Sequence, residues 1–223
     1  LRSISHDIRT PLTSISGNAC NLLSHYEQLD EETLRQIFSD IYDDSEWLVD
    51  LVENLLSISR IENGQMELHM TLDIVSDVIE EALRHVDRNI SRHHVTVAGS
   101  DDILLVNMDT GLIMQVLINL LDNAVKHTPA GTEVTVTARK QDGRVEILVA
   151  DTGQGIPDAE KENIFELFYT GRHTLSDSSR SMGIGLNLCR EILRAHGGTI
   201  EVADNQPHGT VFTLSLKAWE AEA

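Results

Sequence analysis

Between Leu34 and Ile58, apolar residues recur in steps of three and four: Leu34, Ile37, Ile41, Leu48, Leu51, Leu55 and Ile58. A helix places such residues on one stripe. The slot at Asp44 is polar, with Ser45 beside it. Heptads broken by one polar layer read as a bundle or coiled-coil seam whose register that layer can fix. The preceding segment repeats the pattern at Ile4, Ile8, Leu12, Ile15, Ala19, Leu22, Leu23 and Tyr26. Pro11 lies inside it and should kink the helix or weaken one turn. A polar turn from His25 to Asp30 joins the two helices. Asp30 is the expected N-cap of the second, which runs to about Glu62 and ends at Asn63-Gly64. Two helices cannot bury such stripes alone. Pairing with a second copy into a four-helix bundle is the natural solution.

After Gly64 the texture changes to mixed strands and helices. Short strands are expected at Met66–Leu72, His94–Ala98 and Ile103–Met108, the last two around a Gly99-Ser100-Asp101-Asp102 turn. A hairpin is expected from Thr132–Arg139 and Val145–Ala150 around Asp142-Gly143. Closing strands fall at Thr199–Ala203 and Thr210–Leu216. Helices are expected at Ile74–Ile90, Gly111–His127 with Asp109 as N-cap, Ala159–Phe168 and Ile184–His196, and Tyr169–Met182 reads as loop. The expected class is α+β: an antiparallel helical hairpin forming a dimeric four-helix bundle, then an α/β sandwich with helices on one face of its sheet.

The net charge of −19 would repel nucleic-acid phosphates and anionic lipid, and no run of Lys or Arg offsets it, so direct nucleic-acid binding is not expected. Hydrophobic residues make up 41% of the chain, enough for packed cores rather than a disordered acidic tail, and with only 4% aromatics those cores should be aliphatic. The two cysteines, Cys20 and Cys189, fit no disulfide framework or paired-cysteine zinc motif and read as free thiols. No apolar run is long enough to cross a bilayer, and there is no signal peptide. The chain begins at Leu1 with the periodicity already running, which reads as a fragment of something longer.

Four places could carry chemistry. In Ser5-His6-Asp7-Ile8-Arg9-Thr10-Pro11, His6 sits beside the helix seam. A neutral imidazole is a good nucleophile toward phosphorus, and Asp7 could orient it or take its proton. Thr10, one turn further along, could position a water. A lone helical His is more often structural, and that reading stands for His25, His69, His85, His93 and His94. In the run from Asn119 to His127, two carboxamides at i, i+4 could hold a hard cation such as Mg²⁺, and Lys126 could meet a phosphate. The alternative is a solvated Asn pair, weakened because two Asn inside a helix cost propensity without return. Asp151-Thr-Gly153-Gln-Gly155-Ile156-Pro157 follows an apolar strand; a carboxylate there can accept from an exocyclic amine, and its glycines permit close approach of a ligand. Met182-Gly183-Ile184-Gly185-Leu186 opens a helix and could cradle an anion. Each of these glycine-rich matches alone is weak, and Gly209-Thr210 before the last strand is weaker still.

Their order is more telling. His-Asp-x-Arg-Thr-Pro, the Asn run, Asp-x-Gly-x-Gly, a Phe pair and Gly-x-Gly-Leu, in that spacing, closely resemble the catalytic region of bacterial sensor histidine kinases over essentially the whole chain. The resemblance implies a dimerisation and phosphotransfer hairpin at 1–65. It implies an ATP-binding domain at 66–223, of the kind shared with gyrase, Hsp90 and MutL. It makes His6 the phosphoacceptor, Asp7 its base and Thr10 an aid to dephosphorylation. Asn119 and Asn123 match Mg²⁺ and phosphate positions, and Lys126 and His127 match phosphate contacts, the second often Tyr in the family. Asp151 matches the adenine-reading carboxylate, with Gly153, Gly155 and Ile156 shaping its pocket and Thr210 joining the nucleotide site. Phe165 and Phe168 match the base of the ATP lid; Gly183, Gly185 and Leu186 match its closing end, and Arg180 is its candidate phosphate contact.

Two positions depart from the family. Ser181 stands where Gly is common, and Leu167 stands where Arg is common between the two Phe residues. Arg172 and Arg180 are the candidate substitutes, and the Ser-rich lid has little to bury. The implied activity is ATP-dependent autophosphorylation of His6 and phosphotransfer to an aspartate of a response regulator receiver domain, with regulator phosphatase activity beside it. The implied setting is the cytoplasmic part of a membrane-anchored homodimer, with any anchor in a preceding region. Three rivals remain: a same-fold enzyme acting chiefly as phosphatase, a nucleotide-gated module that binds a partner without transfer, and, ranked lowest, a gyrase- or chaperone-type ATPase, which leaves the His-bearing hairpin unexplained.

Overall fold

The computed structural model describes residues 2–62, 67–86, 90, 92–99, 103–170 and 183–220. The chain divides into two compact units, Leu1–Arg60 and Ile61–Ala223. No helix among the described residues is long and apolar enough to cross a membrane.

The first unit is a helical hairpin. Helix α1 spans Arg2–His25 and runs unbroken through Pro11. One 3₁₀ turn, Tyr26–Gln28, leads to α2, Glu31–Glu62. Asp30 caps α2 as expected: its Oδ1 accepts from the Thr33 N–H at 2.7 Å. Glu31 and Glu32 place negative charge in the first turn, where the helix dipole favours it. The buried row of α2 is Ile37, Asp44, Leu51 and Ile58, one residue per heptad, so the polar slot falls inside the seam. A second row, Phe38, Tyr42, Val49, Val52 and Leu56, is at least half exposed.

The second unit is built on a five-stranded sheet ordered β2-β4-β5-β7-β6: β2 (His94–Gly99), β4 (Glu133–Gln141), β5 (Arg144–Asp151), β7 (Thr210–Lys217) and β6 (Thr199–Asp204). Strand β2 runs parallel to β4, and every other pair is antiparallel. A two-stranded sheet, β1 (Thr71–Ile74) with β3 (Leu105–Met108), joins the far end of β7 through a bridge from Val106 to Ala218. Along β5 every second residue is buried, namely Val145, Ile147, Val149 and Asp151. In register beside them lie Leu216, Leu214 and Phe212 of β7 and Val134 and Val136 of β4, so one face of the sheet is covered and the other only shielded. Helices α3 (Val75–His85), α4 (Thr110–His127) and α6 (Gly185–Ala195) pack against the strands, α4 lying against both of the others.

Three expected elements are corrected. The strand read at Met66–Leu72 is β1, Thr71–Ile74, because pairing with β3 sets its ends at Thr71↔Met108 and Ile74↔Leu105. The helix read at Ile74–Ile90 stops at His85, and Val86 is extended with ψ 148°. Ile79, Ala82, Val86 and Ile90 keep helical spacing past the point where the chain leaves the helix. The helix read at Ala159–Phe168 shrinks to α5, Asp158–Lys161. Phe168 has φ +67°, which no helix continues through, and its N–H goes to the Gly183 carbonyl at 2.9 Å. The Asn63-Gly64 stop, the Ser100–Asp102 part of the turn after β2, and Arg172, Arg180, Ser181 and the rest of 171–182 lie outside the described residues.

Candidate functional site

Helix α4 carries the Asn run. Asp109 caps it, accepting from the Leu112 N–H at 3.2 Å, while its own N–H donates to His196 Nε2 at 3.0 Å and ties the start of α4 to the end of α6. Leu117, Leu120, Leu121, Ala124 and Val125 fill the core. That leaves Asn119, Asn123 and His127 one turn apart on the remaining stripe. Asn123 and His127 line a cavity of about 180 Å³ in this unit, but Asn119 does not. The Asn119 carboxamide is wedged against α6: its Oδ1 would lie 3.7 Å from a Cβ at Gly185, and its Nδ2 is buried with no hydrogen-bond partner. Cys189, one turn beyond Gly185, is fully buried next to it, and burial pushes its thiol pKa up to about 12 while Asn119 pulls weakly the other way. Lys126 points outward, with Nζ 3.5 Å from Asp122 Oδ2.

Asp151 ends β5 and lines the same cavity, only 8% exposed. Its Oδ1 accepts from two backbone N–H groups, Gly153 at 2.8 Å and Thr210 at 3.3 Å. Burial raises its pKa, and those hydrogen bonds and His127 lower it in turn. The Thr210 side chain also hydrogen-bonds the carboxylate, which borders the cavity. Burial, and then the Lys126 charge, hold His127 below the ordinary histidine range, against the opposing pull of Asp151. The site therefore sets an imidazole whose neutral form is favoured beside the Asp151 carboxyl. Gly155, Ile156, Gly183, Gly185, Leu186 and Thr210 line the cavity; Gly153 is buried and does not.

Neither residue of the Phe pair, Phe165 or Phe168, lines the cavity. Phe165 is buried edge-on to Phe212, a cavity residue, with centroids 6.4 Å apart. Its carbonyl accepts from Asn187 Nδ2 at 3.0 Å. Arg190 lies 6.0 Å from the Phe165 ring and 3.4 Å from Glu166, so a guanidinium sits beside this strip although Leu167 replaces the family's Arg. Gly183, φ +63°, packs so tightly on the Tyr169 backbone that a Cβ would collide with it. The site residues that sequence reasoning missed are Thr128, Glu160, Tyr169 and Phe212 in the cavity wall, and Asn187, Asn205 and His208 behind it. Only Phe212 carried a signal, as the aromatic residue of β7, two positions after Thr210. The side chains of His6 and Asp7 lie outside the described residues; Thr10 is exposed on α1.

The donor set fits Mg²⁺. Carboxamide oxygens are hard ligands, and Mg²⁺ keeps several waters and shares substrate phosphates rather than filling an all-protein cage. The described residues hold no cluster of three or more His, Cys, Asp or Glu that could cage a metal. Asn123 meets this requirement directly, whereas Asn119 must turn from its wedge to take part.

Comparison with known proteins gives a consistent picture. Residues 108–220 match the family described as histidine kinase-, DNA gyrase B- and HSP90-like ATPase, and residues 1–64 match the His Kinase A (phospho-acceptor) domain. The sensor protein KdpD of Clostridium acetobutylicum is 40% identical over 218 residues, 97% of this chain but 24% of that protein, so the chain spans about a quarter of that relative's length. Among solved structures, full-length ShkA in complex with AMPPNP is 26% identical, with TM-score 0.72, over 100% of this chain and 46% of that one. The histidine kinase ThkA in complex with the response regulator protein TrrA is 27% identical, with TM-score 0.72, over 98% of this chain and 60% of that one.

Proposed function

The chain belongs to the two-component sensor histidine kinases, and from that premise we propose that it phosphorylates itself on His6 with ATP and passes the phosphoryl group to an aspartate of a response regulator. The observation that carries the reading is convergence. Four separate sequence motifs of the second unit, the Asn run, the Asp151 loop, the Gly183–Leu186 turn and Thr210, meet in one cavity. On this reading residues 1–65 are the dimerisation and phosphotransfer hairpin and 66–223 the catalytic domain.

Asp151 Oδ2 accepts from the adenine amine, with Ile156 and Phe212 enclosing the base. Asn123 and His127 face the phosphates, and Lys126 turns from Asp122 to reach them, with Gly183, Gly185 and Leu186 at the helix start and Arg180 from the lid. Asn123 and Asn119 would hold Mg²⁺, which when bound neutralises phosphate charge. A His6 nitrogen attacks the γ-phosphorus, the bond to the bridging oxygen breaks, ADP leaves, and Asp7 takes the imidazole proton. Thr10 orients a water for dephosphorylation of the regulator. The face of α1 from His6 to Asn18 receives that partner, and nucleic-acid contact belongs to the partner. The half-exposed row on α2 pairs with a second copy, and any membrane anchor lies in a region preceding this one.

Incubation with γ-labelled ATP and Mg²⁺ tests the reading. Label that survives base, is lost in acid and vanishes in His6→Gln while nucleotide binding persists is the expected result. Acid-labile label persisting in His6→Gln would sink His6 as acceptor. Bound nucleotide with no label would favour a phosphatase-biased or binding-only module.

A further inference from the structure

The ladder between β5 and β7 ends at Ala150 opposite Val211, one residue short of Asp151. Past that point the Asp151 carbonyl is met by a side chain: Asn205 Nδ2 donates to it at 2.8 Å. The Asn205 amide is held in that sense. Its Oδ1 accepts from the Gln206 N–H at 2.9 Å, and its backbone N–H donates to the Gly209 carbonyl at 3.0 Å. Three residues on, His208 Nδ1 donates to the Gly153 carbonyl at 3.1 Å. Gly209, φ +114°, lies against the Asp151 backbone with no room for a Cβ. The loop between β6 and β7 thus grips the peptide backbone from Asp151 to Gly153, while the Thr210 N–H holds Asp151 Oδ1 from the same side.

We propose that Asn205 is a positioning residue for base selection: by clasping the Asp151 carbonyl it fixes the direction in which Asp151 Oδ2 enters the cavity. The inference rests on Asp151 being the base-reading carboxylate. A carboxylate accepts from the exocyclic amine of adenine and repels the carbonyl oxygen that guanine carries in its place. That discrimination requires the oxygen to be held in place, because a tilted carboxylate loses the amine and can admit a water that serves guanine. Asn205 does for Asp151 what one more rung of the ladder would have done, with a donor that has no other partner to satisfy.

The test uses the full chain, with ADP and GDP binding measured by calorimetry. Asn205→Asp keeps the shape and the acceptor for Gln206 but turns the donor into a charged acceptor facing a carbonyl. It should weaken ADP binding about tenfold and narrow the ADP/GDP ratio, and Asn205→Ala should do the same by about threefold. A merely space-filling role predicts the reverse order, with Ala worse than the isosteric Asp, and that order would overturn the proposal. So would an unchanged ADP/GDP ratio in both variants. Should Asn205→Asp not fold, Asn205→Ala and His208→Ala carry the same comparison of ratios. Asp151→Asn is the control: if it leaves the ratio intact, the reading of Asp151 fails and the proposal with it. If it abolishes the ratio while the Asn205 variants keep theirs, only the Asn205 proposal fails.

Discussion

Leu188, Leu193 and Leu214 of the second unit are wholly enclosed by its own helices and sheet. In the first unit, Phe38, Tyr42, Val49, Val52 and Leu56 stand at least half exposed beside a single buried row. A sheet with helices on one face closes its core within one chain. A two-helix hairpin has only one inward face, so its second stripe stays open until another copy covers it. The contrast explains why the hairpin, and not the sandwich, is the place to look for dimerisation.

The sharpest way to break the comparison is inside the sandwich. Leu214→Ala should cost about 2–5 kcal/mol of the second unit's stability, read from denaturant unfolding, and by the same amount at every protein concentration. Leu56→Glu should leave that transition in place and raise the dimer dissociation constant at least about tenfold, seen by sedimentation. A dimer unaffected by the change would move the interface elsewhere.

The smallest effect concerns acid. His127 is neutral-favoring in the folded state, so the stability it contributes is present above its ordinary value of 6.5 and is lost as pH falls through its lower folded value. Asp151, whose pKa is raised, acts oppositely: it favours the folded state as pH falls through that raised value toward 3.8. His127→Gln should therefore shrink the drop in melting temperature of the second unit between about pH 7 and pH 5.5. An unchanged drop would mean that His127 titrates normally.

How far the molecule could be read in advance follows from where the information lies. Caps are local, so Asp30 and Asp109 were legible and both accept as expected. The Asp142-Gly143 hairpin was legible because its two-residue turn takes positive φ at both positions, which few other pairs allow. The end of α3 was not, because apolar spacing at Val86 and Ile90 continues after the hydrogen bonding stops. The site divides in the same way. Asp151, Asn123 and Gly183 stand in short motifs and were found from them. Asn205 and Asn187 act across 54 and 22 residues of sequence on backbone carbonyls, and no local pattern marks a side chain whose partner is a distant peptide. Asn119 was legible as a motif but not as the wedge it forms between α4 and Gly185.

The bond from Phe168 to Gly183 also sets what the chain between them costs. Once the two ends of a segment are pinned 2.9 Å apart, the entropy of closing it grows only with the logarithm of its length, about 0.6 kcal/mol for each doubling. The stretch between those two residues can therefore gain or lose chain at almost no cost to the sandwich that holds it. Its length and composition are set by other demands than the folding of that sandwich.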